Sequence, residues 1–287
     1  MSSASRDATA APYARELEVA TAAARAAGEV ILGFYGRAAV SEKPDGSVVT
    51  QADYASDASI RAALSSAFPG DALLTEEGMD DPARLARDRC WIVDPIDGTA
   101  QYVARTGDFD VFIALAVEGA PAVGVSYQPT SGLLLCAVAG SGAWIERPGH
   151  ERRPLRLSLG PGRPVIATKG WLGAPANLPR LQRVAPRLGG AEVVEATQSL
   201  CARALLPGPG SVDAIAGIPT GGRRLGAWEW DLAAVDLITR EAGGAATDLA
   251  GRPLRYNQPT PRFDGGLLLS RSPALHERLL SALAAEP

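Results

Sequence analysis

Cys90-Trp91-Ile92-Val93-Asp94-Pro95-Ile96-Asp97-Gly98-Thr99 is the stretch from which the rest of this chain is best read. Its first four residues form a short apolar run of strand character. Asp94 stands at the carboxyl end of that strand, Pro95 restrains the backbone, and a second aspartate follows three residues after the first. Gly98 admits an unusual backbone angle or the close approach of a ligand. Thr99 can cap a following turn or helix, leaving N–H groups to face an anion. Asp-Gly alone is ordinary turn chemistry; the whole string behind an apolar strand reads as a site.

Two more acidic clusters stand elsewhere. Glu76-Glu77 closes the apolar run Ala72–Thr75, and Asp231 lies near the start of a periodic helix in Trp228-Glu229-Trp230-Asp231. Carboxylates that converge repel one another unless cations sit between them. Magnesium prefers oxygen ligands and is commonly held by a few carboxylates plus substrate phosphate oxygens. Paired metals suit phosphoryl transfer, where attacking and leaving oxygens both need stabilising. Each cluster also has a plainer reading. Glu76-Glu77 can be a solvated loop pair, and Asp231 an early-helix acid favoured by the helix dipole. Thr50-x-x-Asp53 can simply be a capping box, and Asp57 is read as surface or helix structure.

The scarce residues exclude other chemistries. The two histidines are His150, in a Pro- and Arg-rich loop, and His276, in the C-terminal helix. Neither has a Ser or Cys partner in a recognisable motif, so a Ser-His-Asp or Cys-His hydrolase is not expected. Cys90, Cys136 and Cys201 are far apart with apolar flanks and read as core residues in a reducing compartment, not as zinc ligands. P-loop, nucleophile-elbow and GxGxxG patterns are absent. Twenty-eight Lys and Arg against 32 Asp and Glu give a net charge of −4, with no electrostatic footprint for a nucleic-acid polymer. No apolar run reaches the roughly 18 residues of a membrane span, and the polar start lacks a signal-peptide core. A cytoplasmic protein is expected.

The 287 residues suit about two domains. A long amphipathic helix is expected from Leu17 to Phe34, then a turn at Lys43–Gly46 and a second helix from Thr50 to Phe68. Short strands at 72–75, 90–93, 111–117, 122–127, 133–138 and 143–145 have the rhythm of an antiparallel meander. Arg147–Pro154 reads as a loop, and Gly160-Pro161-Gly162 as a boundary. Beyond it, strands at 165–167, 193–194, 212–215 and 267–269 alternate with helices at 178–188, 229–242 and 273–283, an α/β pattern. The expected division is an N-terminal α+β domain, 1–158, and a C-terminal α/β domain, 159–287.

Asp94–Thr99 resembles the signature of the inositol monophosphatase-like superfamily of magnesium-dependent, lithium-sensitive phosphatases. Lys43-x-Asp45-Gly46-Ser47-x-Val49-Thr50-x-x-Asp53 resembles that family's first region, Glu76-Glu77-Gly78 its acidic pair, and Trp230–Ala234 with Ala242-Gly243-Gly244 its C-terminal signature. The order is also the family's. The resemblance implies a layered αβαβα sandwich and a small phosphorylated substrate. It implies that Glu76, Asp94 and the carbonyl of Ile96 hold a first magnesium, that Asp94, Asp97 and Asp231 hold a second, and that Glu76 and Glu77 help with a weaker third. Gly98 and Thr99 would offer N–H groups to the phosphate, with Lys43 also on the substrate. Thr99, Asp53 and Glu76 would serve the attacking water. Many relatives are dimers, but no self-dimer interface is evident in this sequence.

Within the superfamily, Gly107–Val111, Ile113–Leu115, Gly124-Val125-x-Tyr127-x-Pro129, Glu229-Trp230-Asp231 and Tyr256–Pro259 look most like the 3′(2′),5′-bisphosphate nucleotidase branch. That branch removes the 3′-phosphate of adenosine 3′,5′-bisphosphate. Inositol or sugar phosphatase activity is the alternative, and a non-catalytic metal- or phosphate-binding homologue the third. Ala100-Gln101-Tyr102 and Ile218–Arg224 depart from the nucleotidase pattern. Arg223 and Arg224 either grip a second phosphate, as guanidinium forks do, or are exposed loop charges. Tyr256 either supports a base or packs beneath its loop.

Overall fold

The computed structural model describes residues 12–44, 46–169, 172, 174–196, 202–208, 210–219 and 225–286. Cys201, Arg223 and Arg224 lie outside the described residues. Helix α1 (Ala14–Phe34) leads into a small hairpin, the exposed β1 (Val40–Glu42) and the partly buried β2 (Val48–Thr50), and then α2 (Gln51–Ala67). A large sheet follows: β3 (Ala72–Thr75), β4 (Arg89–Asp97), β5 (Asp110–Val117), β6 (Ala120–Gln128), β7 (Leu133–Val138), β8 (Gly142–Glu146) and β9 (Arg153–Pro154), with the short helix α3 (Thr99–Val103) between β4 and β5. Its strands lie in sequence order, β3 parallel to β4 and each later pair antiparallel. The expected meander therefore begins at β4. Arg153 and Pro154, read as loop, close its far edge against β8.

The second sheet comprises β10 (Val165–Thr168), β11 (Glu192–Glu195), β12 (Ala214–Gly217), β13 (Ala245–Thr247) and β14 (Leu267–Ser270), in the order β11-β10-β12-β14-β13. The helices among these strands are α4 (Ala174–Val184), α5 (Glu229–Glu241) and α6 (Pro273–Ala284). The helix expected over 178–188 divides at Val184, where a 3₁₀ turn (Ala185–Leu188) with Pro186 in its first turn takes over; proline offers no N–H to continue the ladder. Strand 212–215 is shifted to begin at Ala214.

Side-chain alternation explains why the central strands read as continuous apolar runs. On β4, Trp91 and Val93 face a core shared with α1 and α2, while Cys90 and Ile92 face a second core shared with α5. On β5 the same division separates Val111, Ile113 and Leu115 from Phe112, Ala114 and Ala116. A strand covered on both faces has no polar side to show. The second core also takes Ala167, Ile215, Leu267 and Leu269 from the second sheet, so it joins residues from before and after position 158. A third core packs α4 and α6, through Leu181, Val184, Leu275 and Leu279, on Ile166, Ala214, Ala216 and Leu268. The layers run α1/α2, large sheet, α5, second sheet, α4/α6, the expected αβαβα sandwich. Cys90 and Cys136 are buried thiols in these cores. Among the described residues no helix is long and apolar enough to cross a membrane.

Candidate active site

Asp94 and Asp97 are three residues apart, and in a regular strand that spacing points two side chains to opposite faces. A β-bulge changes the phase. Asp94 pairs with Phe112 and Asp97 with Asp110, so three steps along β4 match two along β5. Ile96 accordingly falls in the α1/α2 core, and the two aspartates share the α5 side. The strand thus continues through the signature rather than ending at Val93. Gly98, at φ 92°, turns the chain out of the strand and is the N-cap of α3, with Thr99 its first residue. A β-carbon on Gly98 would meet the Asp108 carbonyl oxygen at 3.1 Å.

The third carboxylate arrives from α5. Asp231 occupies its first turn, and the backbone N–H of Trp228 donates to Asp231 Oδ2 at 2.7 Å. Asp94, Asp97 and Asp231 each offer an oxygen, all within 4.8 Å of one another. Burial pushes the Asp94 carboxyl well above the usual carboxylate range, and the charges of Glu76, Asp97 and Asp231 push it further. Asp231 is raised likewise by burial, then by Asp97 and Glu76, against the Trp228 hydrogen bond. Such a cluster favours protons or a cation in its midst. The donors are all oxygen, which fits a hard divalent ion.

Glu76 follows β3 and is tied to β4 by its N–H, which donates to the Val93 carbonyl at 3.1 Å. The Lys43 ammonium sits between the acidic pair, donating to Glu76 Oε1 at 2.8 Å and Glu77 Oε1 at 2.7 Å. Burial opposes that charge, but the two carboxylates outweigh it and hold Lys43 above the ordinary lysine range. Burial, with Glu76 and Asp53 nearby, pushes Glu77 up to about 7 against the pull of Lys43. Lys43 is thus engaged by both glutamates, and the Glu77 side chain, 3% exposed, is turned to Lys43; the residues lining the cleft include Glu76 but neither Lys43 nor Glu77.

Asp53 does two things at once. Its Oδ2 accepts from the Thr50 N–H at 2.8 Å and the Thr50 hydroxyl at 2.6 Å, forming the capping box of α2. Its Oδ1 accepts from the Thr99 hydroxyl at 2.9 Å, which has the Ile96 carbonyl as its other acceptor, at 3.2 Å. Burial raises the Asp53 carboxyl, and these hydrogen bonds oppose the rise. The cap and the site are therefore not alternatives.

A cleft of about 460 Å³ opens over these groups, lined by Glu76, Asp94, Ile96, Asp97, Gly98, Thr99 and Asp231. Lys169, after β10, also lines it, as do Gln101, Trp228 and Trp230. The indoles of Trp228 and Trp230 stack with centroids 4.9 Å apart. None of these four was expected at the site, although a Trp-x-Trp immediately before Asp231 was a visible signal. A larger groove of about 590 Å³ beside α1 lacks the carboxylate cluster. Tyr256 is fully buried, its hydroxyl donating to Asp236 Oδ2 at 2.9 Å, so it packs beneath its loop and touches no base.

Residues 13–287 match the model of the inositol monophosphatase family, and the chain belongs to that family of phosphatases. It is 32% identical to a histidinol-phosphatase of Chlorobaculum parvum, over 93% of this chain and 96% of that one. It is also 32% identical to the 3′(2′),5′-bisphosphate nucleotidase CysQ of Escherichia coli O157:H7, over 83% of this chain and 92% of that one. The crystal structure of the suppressor protein SuhB from Bartonella henselae superposes with a TM-score of 0.75 at 26% identity, covering 95% of this chain and all of that one.

Proposed function

We propose that the chain is a magnesium-dependent phosphomonoesterase that removes the 3′-phosphate of adenosine 3′,5′-bisphosphate. The observation that carries the chemistry is the bulge in β4, which turns Asp94 and Asp97 toward Asp231 on one side of the cleft. In this reading Glu76, Asp94 and the Ile96 carbonyl hold one magnesium, and Asp94, Asp97 and Asp231 a second. When bound, the metal supplies Lewis acidity to the attacking water and neutralises the leaving oxygen.

The chain's own groups do the rest. The Thr99 hydroxyl donates to Asp53 Oδ1, which leaves an oxygen lone pair to orient the water and receive its proton as the hydroxyl proton passes to Asp53. Gly98 and Thr99, which line the cleft, would offer their backbone N–H groups to the phosphate. Lys43, itself held by Glu77, would position Glu76. Phosphoryl transfer asks mainly for placement and charge neutralisation, and no histidine is needed. The similarity to CysQ is consistent with a nucleotide, though it is matched by that to the histidinol-phosphatase; what supports a base in particular is the aromatic pair Trp228 and Trp230 lining the cleft, since aromatic side chains provide surfaces on which bases stack.

A substrate panel tests the reading: adenosine 3′,5′-bisphosphate, inositol 1-phosphate, fructose 1,6-bisphosphate and histidinol phosphate, each with magnesium and with or without lithium. The expected result is a kcat/KM at least 100-fold higher for the nucleotide, about 2.7 kcal/mol of discrimination. A preference for inositol 1-phosphate or fructose 1,6-bisphosphate would replace it with the inositol or sugar phosphatase alternative. Preference for histidinol phosphate would refute the nucleotide assignment and retain the phosphatase.

A further inference from the structure

Glu229 stands two residues before Asp231, 1% exposed, yet contributes nothing to the cleft. Its two oxygens are both used on one distant turn. Oε2 accepts from the Asn257 N–H at 2.6 Å and Oε1 from the Gln258 N–H at 2.8 Å. Asn257 is held at φ 55°, a left-handed conformation that asparagine tolerates better than most side chains. The other side of the same turn is gripped by Arg84, itself 3% exposed. Arg84 Nη1 donates to Asn257 Oδ1 at 2.7 Å and Nη2 to the Gln258 carbonyl at 2.8 Å. The guanidinium is aimed by Asp80, which accepts from Nε at 2.6 Å and from Nη2 at 3.1 Å. Asn257 Nδ2 returns a bond to the Arg84 carbonyl at 3.2 Å.

These contacts link three separate segments. Asp80 and Arg84 belong to the stretch that follows Glu76-Glu77 directly. Residues 257 and 258 come from a C-terminal loop. Glu229 opens the helix that delivers Asp231. The carboxylates Glu76 and Asp231 approach the cleft from different layers, on short leads. A buried carboxylate and a buried guanidinium sharing one turn is a costly arrangement unless their polar atoms are partnered; here each oxygen of Glu229 and each nitrogen of the Arg84 guanidinium has a partner.

We propose that Glu229, Arg84 and the Asn257-Gln258 turn form a brace of positioning residues that sets the separation of Glu76 from Asp231 and so sets the affinity of the carboxylate cluster for its divalent cation. The inference rests on the metal reading of the cleft given above. Metal ligands are tuned in this way by the groups that hold them, whose loss typically weakens binding 10–100-fold.

The test is calorimetric titration of magnesium into the phosphate-free protein, alongside phosphate release as a function of magnesium. Glu229→Gln keeps the size but presents an amide N–H₂ to one of the two backbone donors. Its magnesium dissociation constant should rise at least 10-fold, with phosphate release recovering as magnesium is raised. Asn257→Gly is the gentler variant, and decides the matter if Glu229→Gln does not fold. It keeps the left-handed backbone and both N–H donors and deletes only the side-chain bonds, those to Arg84 and one to the Arg87 carbonyl at 3.4 Å, and its dissociation constant should rise at least 3-fold. A lowered unfolding midpoint with magnesium affinity within 2-fold of wild type in the folded variants would overturn the proposal, leaving the brace a plain stability element. Failure of the wild-type protein to bind magnesium would instead sink the metal reading itself.

Discussion

Thr99→Val separates the two jobs of Asp53. Valine matches threonine in shape and keeps the backbone N–H at position 99, so what is lost is the hydroxyl between Asp53 Oδ1, at 2.9 Å, and the cleft. Asp53 is 1% exposed, but its other oxygen retains two bonds from Thr50, at 2.8 and 2.6 Å. A hydrogen bond to a charged group is worth about 1.5–3 kcal/mol; with half the carboxylate still satisfied, an unfolding cost of about 1–2 kcal/mol is expected. The effect on turnover is larger, because the hydroxyl is the contact through which Asp53 reaches the water. Positioned proton transfer contributes typically 10²–10⁴-fold, so kcat at saturating magnesium should fall about 100-fold or more. Thr50→Val is the control. It removes the acceptor of the Ala52 N–H and one donor to Asp53 Oδ2, which should cost about 1–2 kcal/mol as a lost cap, but lower kcat less than 10-fold. Phosphate release and urea unfolding on both variants make the comparison. Equal losses of kcat in the two, or a Thr99→Val enzyme that keeps a third of its turnover, would refute the relay.

Gly98→Ala places a β-carbon 3.1 Å from the Asp108 carbonyl at φ 92°; we expect at least 1–2 kcal/mol of destabilisation with reduced turnover, and an unchanged urea midpoint would contradict the strain. Tyr256→Phe strips one bond from the buried Asp236, which keeps Arg240 at 2.6 Å. It should cost about 1–3 kcal/mol and leave KM for the nucleotide within 2-fold, whereas a 10-fold rise would mean a direct substrate contact. His276 is lowered to about 4 by burial. Between pH 6.5 and 4 the unfolded chain therefore binds a proton that the folded chain does not, and stability falls as pH falls across that window, by up to about 3 kcal/mol. The pH dependence of the urea midpoint should flatten in His276→Gln; parallel curves for variant and wild type would rule the histidine out.

Where burial is one- or two-sided and continuous, the sequence shows it. The runs at 90–93, 111–117 and 133–138 are apolar throughout because each strand feeds two cores, and all three are strands. The hairpin at Val40–Glu42 escapes notice for the opposite reason: its first strand is wholly exposed and has no face to pattern. At the site, residue types are legible and their phase is not. Nothing in the spacing of Asp94 and Asp97 announces the bulge that brings them together. Nor does an acidic pair announce that Lys43, more than thirty residues earlier, sits between its two members. Thr50-x-x-Asp53 presents capping and chemistry as rival readings, whereas one carboxylate oxygen caps the helix and leaves the other to the Thr99 hydroxyl.

We propose that Asp94, Asp97, Asp231 and Glu76 form a magnesium-dependent hydrolytic centre. Phosphate release from adenosine 3′,5′-bisphosphate, measured after EDTA treatment, on magnesium re-addition and in Asp94→Asn, tests it most directly. The expected outcome is no turnover without metal, full recovery with magnesium, and a loss of at least about 1,000-fold in a folded Asp94→Asn protein whose magnesium binding is weakened. Undiminished turnover in EDTA, or in Asp94→Asn, would contradict it.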